Sequence, residues 1–114
     1  MTAVPQDLTI ADFPAALAGL AQPAGQTPLA IRTAASKLIR ACLATARDKA
    51  EAQLKADGKG TACAVSLSQV EDAIICALFD FARAQVFNSA ELPLAIVAVG
   101  GYGRGTLAPG SDID

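Results

Sequence analysis

Residues 94–114 read LAIVAVGGYGRGTLAPGSDID, which places an apolar run directly before a glycine-rich segment. The run Leu94–Val99 has no polar position, and this is typical of a strand that is covered on both faces. Gly100 and Gly101 follow at once, and glycine accepts positive φ and lets backbone N–H groups approach a phosphate closely. The pattern predicts a buried strand that ends in a tight turn able to hold phosphate groups.

The stretch ends on an acidic pair, Asp112 and Asp114, preceded by Ser111. On a strand, residues two apart project from the same face, so both carboxylates would point to one place while Ile113 returns to the core. A lone Ser-Asp-x-Asp is more often a solvated turn or a helix cap. Here it follows an apolar strand and a phosphate-type turn, and two carboxylate ligands beside a phosphate site suit Mg²⁺. We therefore predict a magnesium site at this pair.

The order Gly-Gly, a spacer of ten residues and Asp-x-Asp resembles the signature of the polymerase-β-type nucleotidyltransferase superfamily. The longer string GGYGRGTLAPGSDID resembles one branch of it, the bifunctional uridylyltransferase/uridylyl-removing enzymes that modify the PII signalling protein. This resemblance implies a Mg²⁺-dependent enzyme that transfers UMP from UTP to a tyrosine of PII and releases pyrophosphate. Apart from the resemblance, the net charge of −2 predicts no nucleic-acid partner.

The resemblance also implies roles for individual residues. The backbone at Gly100–Gly101 would hold the triphosphate, and the acidic pair Asp112–Asp114 would be catalytic by binding the metal. Arg104 would clamp a phosphate with its fork of donors, and Ser111 would add a hydroxyl contact. Tyr102 would either pack the turn or stack near the nucleotide, and packing is the favoured alternative.

Two helices are predicted upstream. The first begins at Thr27, an N-cap residue followed by Pro28, carries apolar residues at helical spacing, and stops at Gly58. Residues 58–66 are predicted to connect it to the second helix. That helix would start at Ser68, because Ser68-Gln-Val-Glu71 has the pattern of a capping box.

The second helix is predicted to end at Asn88. The complete expectation is an α+β chain with three parts, namely a loosely ordered arm over 1–27, a helical pair over 28–88 and the beginning of a truncated nucleotidyltransferase domain over 89–114. One strand and a stub do not form a stable sheet. We therefore expect the isolated chain to bind UTP with Mg²⁺ weakly or not at all.

The amino-acid composition of the chain argues against several classes of function. The chain contains no His, which argues against zinc chemistry and against a Ser-His-Asp hydrolase. A net charge of −2 gives no global attraction to nucleic acid. Cys42, Cys63 and Cys76 lack metal-type spacing and are predicted to be reduced. No uninterrupted apolar run reaches the roughly 18 residues of a membrane span, and no signal peptide is visible, so we predict a cytoplasmic protein without a membrane partner.

Two alternatives remain open. The first is another nucleotidyltransferase, such as the adenylyltransferase of glutamine synthetase, because the motif does not identify the base or the acceptor. The second is a non-catalytic helical interaction module whose glycine-rich end is a flexible tail.

Overall fold

The regular structure of the described residues is helical. A computed structural model describes residues 7–20, 26–87, 93–111 and 113, and within these ranges it contains no β-strand. The elements are α1 (Phe13–Gly19), α2 (Pro28–Asp57), α3 (Gly60–Phe81), a π-helical turn (Ala82–Val86) and the single turn α4 (Gly100–Gly103). The predicted α+β class is therefore wrong for the part of the chain described, which is all-helical.

The predicted strand at Leu94–Val99 is neither helix nor strand. Its apolar side chains are exposed, with Ile96 at 60% and Val97 at 73% of their full exposure. A strand requires a hydrogen-bonded neighbour, and the apolar pattern carries no information about whether one is present. Ile113, predicted to return to the core, is likewise 44% exposed, and the described residues form no sheet that could cover it.

Helix α2 begins and ends as its sequence predicts. The Thr27 hydroxyl oxygen accepts a hydrogen bond from the Ala30 amide at 3.1 Å, and Pro28 occupies the first turn. At the other end Gly58 has φ 68°, and its amide donates to the Leu54 carbonyl at 2.7 Å. Both predicted ends are therefore confirmed, and both depend on signals that act within one helical turn.

Helix α3 begins at Gly60 and not at Ser68, so only Gly58 and Lys59 separate it from α2. The Lys59 amide donates to Asp57 Oδ1 at 2.9 Å and fixes this short connection. The predicted capping box is wrong because Ser68 lies inside the helix, where its hydroxyl oxygen accepts from the Leu107 amide at 2.9 Å. The predicted end at Asn88 lies outside the described residues.

The main core lies between α1, α2 and α3. Phe13 and Leu17, one helical turn apart, are fully buried. The other buried members are Leu8, Leu38, Cys42, Val70 and Ile74. The expectation of a loosely ordered arm therefore does not describe residues 7–20, because their apolar side chains are removed from water by the two long helices. The three-part division of the chain stays a prediction.

A second, smaller cluster joins the glycine-rich segment to the helices. Tyr102 and Leu107 are buried there, at 7% and 5% exposure. Their partners from α2 and α3 are Ala50, Cys63 and Leu67. The segment that follows α4 is thus packed on the helical pair and is not a free tail over its described residues.

One helical stretch, Gly60–Gln85, is long and apolar enough to cross a membrane when judged by length and composition alone. The central helix of a compact domain meets the same criterion, and α3 packs against both α1 and α2. Its Glu71 is buried among these contacts. The three cysteines are unpaired, as predicted, with Cys76 alone exposed.

Candidate functional site: the glycine-rich turn

The glycine-rich turn needs glycine at several positions for separate reasons. Gly100 and Gly105 have φ of 65° and 76°, a region that side-chain-bearing residues rarely adopt. The positive φ predicted at Gly100 is confirmed, whereas Gly101 does not adopt one. At Gly103 a Cβ atom would lie 2.6 Å from the carbonyl oxygen of Ala98. The turn therefore has a backbone path that larger residues could not follow.

Backbone hydrogen bonds define this turn. The amides from Gly103 to Leu107 each donate to a carbonyl, at distances from 2.8 to 3.2 Å. Among the residues that the structure describes, no carbonyl accepts from the amides of Gly101 and Tyr102. A phosphate oxygen is one acceptor that could pair with such donors.

Tyr102 attaches the turn to α3. Its hydroxyl donates to Asp72 Oδ1 at 2.5 Å, and its ring is buried in the second cluster. Burial is the main cause that raises the pKa of Tyr102 far above its usual value, and the hydrogen bond to Asp72 and the nearby carboxylate charges add to it. Tyr102 thus packs the turn, which is the favoured one of its two predicted roles.

Leu107 provides a second attachment. Its amide donates both to the Ser68 hydroxyl oxygen at 2.9 Å and to the Ala64 carbonyl at 3.1 Å. Sequence reasoning missed Asp72 altogether and assigned Ser68 to a helix cap. No sequence pattern connects Asp72 and Ser68 to their partners in the turn, which lie 30 and 39 positions later.

Arg104 and Ser111, both predicted to contact phosphate, are exposed. The Arg104 guanidinium lies over the turn, because a Cβ atom built on Gly101 would be 3.8 Å from Arg104 Nη2. Ser111 lies elsewhere, on the wall of a cavity of about 340 Å³ between α2, α3 and residues 107–111. The structure therefore brings Arg104 to Gly101, and it assigns Ser111 to a separate surface.

Arg47 and Glu71 also line the cavity that contains Ser111. Burial raises the pKa of Glu71, and the positive charge of Arg47 opposes that increase. A larger groove of about 710 Å³ lies on the other face of α3, where Cys76 and Phe79 meet the apolar residues 94–98. The two cavities thus lie on either side of the attached turn.

The predicted magnesium ligands Asp112 and Asp114 lie outside the described residues, so the metal site stays a prediction. Within the described ranges no group of three His, Cys, Asp or Glu side chains is placed to hold a metal ion. In donor chemistry the acidic pair still suits Mg²⁺, which prefers carboxylate oxygens.

The resemblance to nucleotidyltransferases rests on the sequence of the glycine-rich turn and the Asp-x-Asp that follows it. No protein-family model and no solved structure matches the chain. A search of curated proteins does give a match: the chain is 46% identical over 104 residues to the bifunctional uridylyltransferase/uridylyl-removing enzyme of Rhodopseudomonas palustris (strain ATCC BAA-98 / CGA009).

The aligned residues cover 88% of the chain and 11% of that enzyme, so the chain spans about a tenth of the length of this relative. The resemblance to the bifunctional uridylyltransferase/uridylyl-removing enzymes is thereby confirmed, and the chain is related to that family.

Proposed function

We propose that this chain is part of a uridylyltransferase that transfers UMP from UTP to a tyrosine of the PII signalling protein. The observation that carries the proposal is the 46% identity to the bifunctional enzyme over 88% of the chain. The geometry of the glycine-rich turn supports it, because the turn combines amide donors with a neighbouring guanidinium group.

The turn would bind the triphosphate. The amides of Gly101 and Tyr102 and the guanidinium of Arg104 would donate to phosphate oxygens, and the positive charge of Arg104 would offset the negative charge of the phosphates. Ser111 would contact the nucleotide only if UTP reached the cavity on the α2 side. Asp112 and Asp114 would hold Mg²⁺, which would polarise the α-phosphate and orient the attacking hydroxyl.

The helices would act as the support of this turn. Helices α2 and α3 form the surface on which Tyr102 and Leu107 are buried, and α1 covers the opposite part of the core. Positioning by rigid elements is what phosphoryl-type transfer requires of a protein, since most of the catalytic effect comes from orientation and electrostatics.

The test uses the complete gene product with PII and UTP labelled at the α-phosphate. We expect the label to appear on PII. Asp112→Asn and Asp114→Asn should each reduce the rate by about 100-fold or more, because replacing a metal ligand is at least as severe as replacing a residue that hydrogen-bonds to a metal ligand. Asp48→Asn, on the exposed face of α2, is the matched control and should retain the native rate. Unchanged labelling in both acidic variants would contradict the proposal.

The same assay, run with different nucleotides and acceptors, distinguishes a uridylyltransferase from another nucleotidyltransferase such as the adenylyltransferase of glutamine synthetase. Transfer from ATP to glutamine synthetase, without transfer from UTP to PII, would favour an adenylyltransferase.

The all-helical fold of the described residues favours, as a further candidate, a helical module that only binds a partner. That module would bind PII or another protein with no nucleotide-dependent labelling at all.

A further inference from the structure

We propose that α3 is the positioning element of the glycine-rich turn, and that Asp72 and Ser68 are the residues through which it acts. This inference rests on the proposed function, since the turn is taken to bind the phosphates of UTP. Neither residue belongs to the Gly-Gly and Asp-x-Asp signature, and both precede it by many positions in the chain.

The first contact is the hydrogen bond from the Tyr102 hydroxyl to Asp72 Oδ1. A bond with an ionised acceptor is about twice as strong as one between neutral groups. A tyrosine hydroxyl keeps its proton at neutral pH and therefore remains the donor, and the Tyr102 side chain is buried. The contact thus holds the turn on the side that precedes Arg104.

The second contact holds the side that follows Arg104. The Leu107 amide is shared between the Ser68 hydroxyl oxygen and the Ala64 carbonyl, and the Leu107 side chain is buried beside them. Ser68 and Asp72 are one helical turn apart on α3, about 6 Å along its axis. A rigid helix therefore fixes both flanks of the segment that carries Arg104.

The attachment matters because the segment is rich in glycine, the residue that loses most conformational freedom on ordering. If the turn is already ordered in the free protein, ligand binding does not have to order it, and this loss of conformational entropy does not weaken binding. When the turn is released, UTP must order it. Affinity for the ground state and for the transition state then falls equally, which raises KM and leaves kcat unchanged.

The kinetic experiment measures KM for UTP and kcat in the complete gene product with saturating PII. We expect KM to rise about tenfold in Tyr102→Phe and in Asp72→Ala, and not to rise further when both are combined, because both remove one hydrogen bond. Asp72→Asn keeps an acceptor oxygen and should recover part of the loss. Ser68→Ala should raise KM by only about twofold, since Ala64 still accepts from Leu107.

The matched control is Asp80→Asn, also on α3, whose carboxylate is exposed and faces Arg83 at 3.5 Å. It should leave both constants unchanged. A fall in kcat at constant KM in Tyr102→Phe and Asp72→Ala would contradict the positioning role, as would native values of both constants.

Amide hydrogen exchange on the complete gene product separates this inference from the proposed function. In Tyr102→Phe and Asp72→Ala the amides from Gly103 to Leu107 should exchange faster, while those in the middle of α2 keep their native rates. Faster exchange with an unchanged KM would overturn the role in positioning the turn for UTP. Unchanged exchange would overturn the claim that Tyr102 and Asp72 hold the turn on α3. If the complete product transfers no UMP, the proposed function and the role in positioning UTP both fail. The hydrogen-exchange result then still tests whether α3 holds the turn.

Discussion

Replacing Gly103 by alanine should disrupt the turn through one atom. The added Cβ would lie 2.6 Å from the carbonyl oxygen and 2.9 Å from the carbonyl carbon of Ala98. This is roughly 1 Å short of the optimal separation of non-bonded heavy atoms. The obstructing atoms belong to the backbone, so no side-chain rotation relieves the clash. Overpacking of this kind costs about 1–3 kcal/mol of unfolding free energy.

Relaxation is restricted because the Gly103 amide donates to the Val99 carbonyl at 2.8 Å, which ties the two segments together. Moving Ala98 away would weaken this bond and shift Tyr102 within the second cluster. We therefore expect the loss of stability to be accompanied by a local change at Tyr102.

Urea unfolding followed by far-ultraviolet circular dichroism gives the free energy. Tyrosine fluorescence reports the turn separately, because Tyr102 is the sole tyrosine and the chain lacks tryptophan. Gly60→Ala is the matched control: Gly60 is the first residue of α3 and no atom lies within 4 Å of its Cβ position, so stability should stay the same or rise slightly. If Gly103→Ala unfolds at the native urea concentration with native fluorescence, the steric reasoning is refuted.

Three further predictions concern the core and its ionisable groups. Phe13→Ala should lower the unfolding free energy by about 3–5 kcal/mol because Phe13 is fully buried, whereas the exposed Phe87→Ala should change it little; equal urea midpoints would show that residues 7–20 are not packed. The raised pKa of Tyr102 means that the unfolded chain releases this proton at lower pH than the native one, so native stability should fall as pH rises above about 10, the usual tyrosine value; Tyr102→Phe should remove that part of the alkaline loss. Burial raises the pKa of Glu71, so its contribution to stability is complete at acidic pH and is lost as pH rises through its native pKa; Glu71→Gln should shift the urea midpoint upward at neutral pH and flatten its pH dependence, and a lower midpoint would contradict the effect.

The parts of the fold that could be predicted from the sequence are those whose signals act over a few residues. Thr27 and Gly58 fix the ends of α2 through bonds to neighbours within one turn. Gly100 likewise reveals its positive φ because only the local backbone decides it. Ser68 gave a false boundary because its hydroxyl is satisfied by Leu107, 39 residues away, and a capping pattern cannot exclude such a partner.

The remaining errors concern partners that a local pattern does not contain. Leu94–Val99 has the composition of a buried strand, but a strand exists only when another backbone lies beside it. Asp72 belongs to no motif that the sequence analysis identifies. Its contact with Tyr102 depends on how α3 and the turn pack, which is a tertiary property. The site could thus be located to the glycine-rich segment, while the helix that holds it could not.

The three thiols differ in a way that is useful for labelling. Cys42 and Cys63 are enclosed, and burial raises the pKa of Cys42 and keeps it in the unreactive thiol form. Cys76 is open to solvent on the wall of the larger groove, facing residues 94–98. A maleimide dye added to the native protein should therefore attach at one place without any engineered cysteine. Its emission would then change whenever another surface came to rest on that groove.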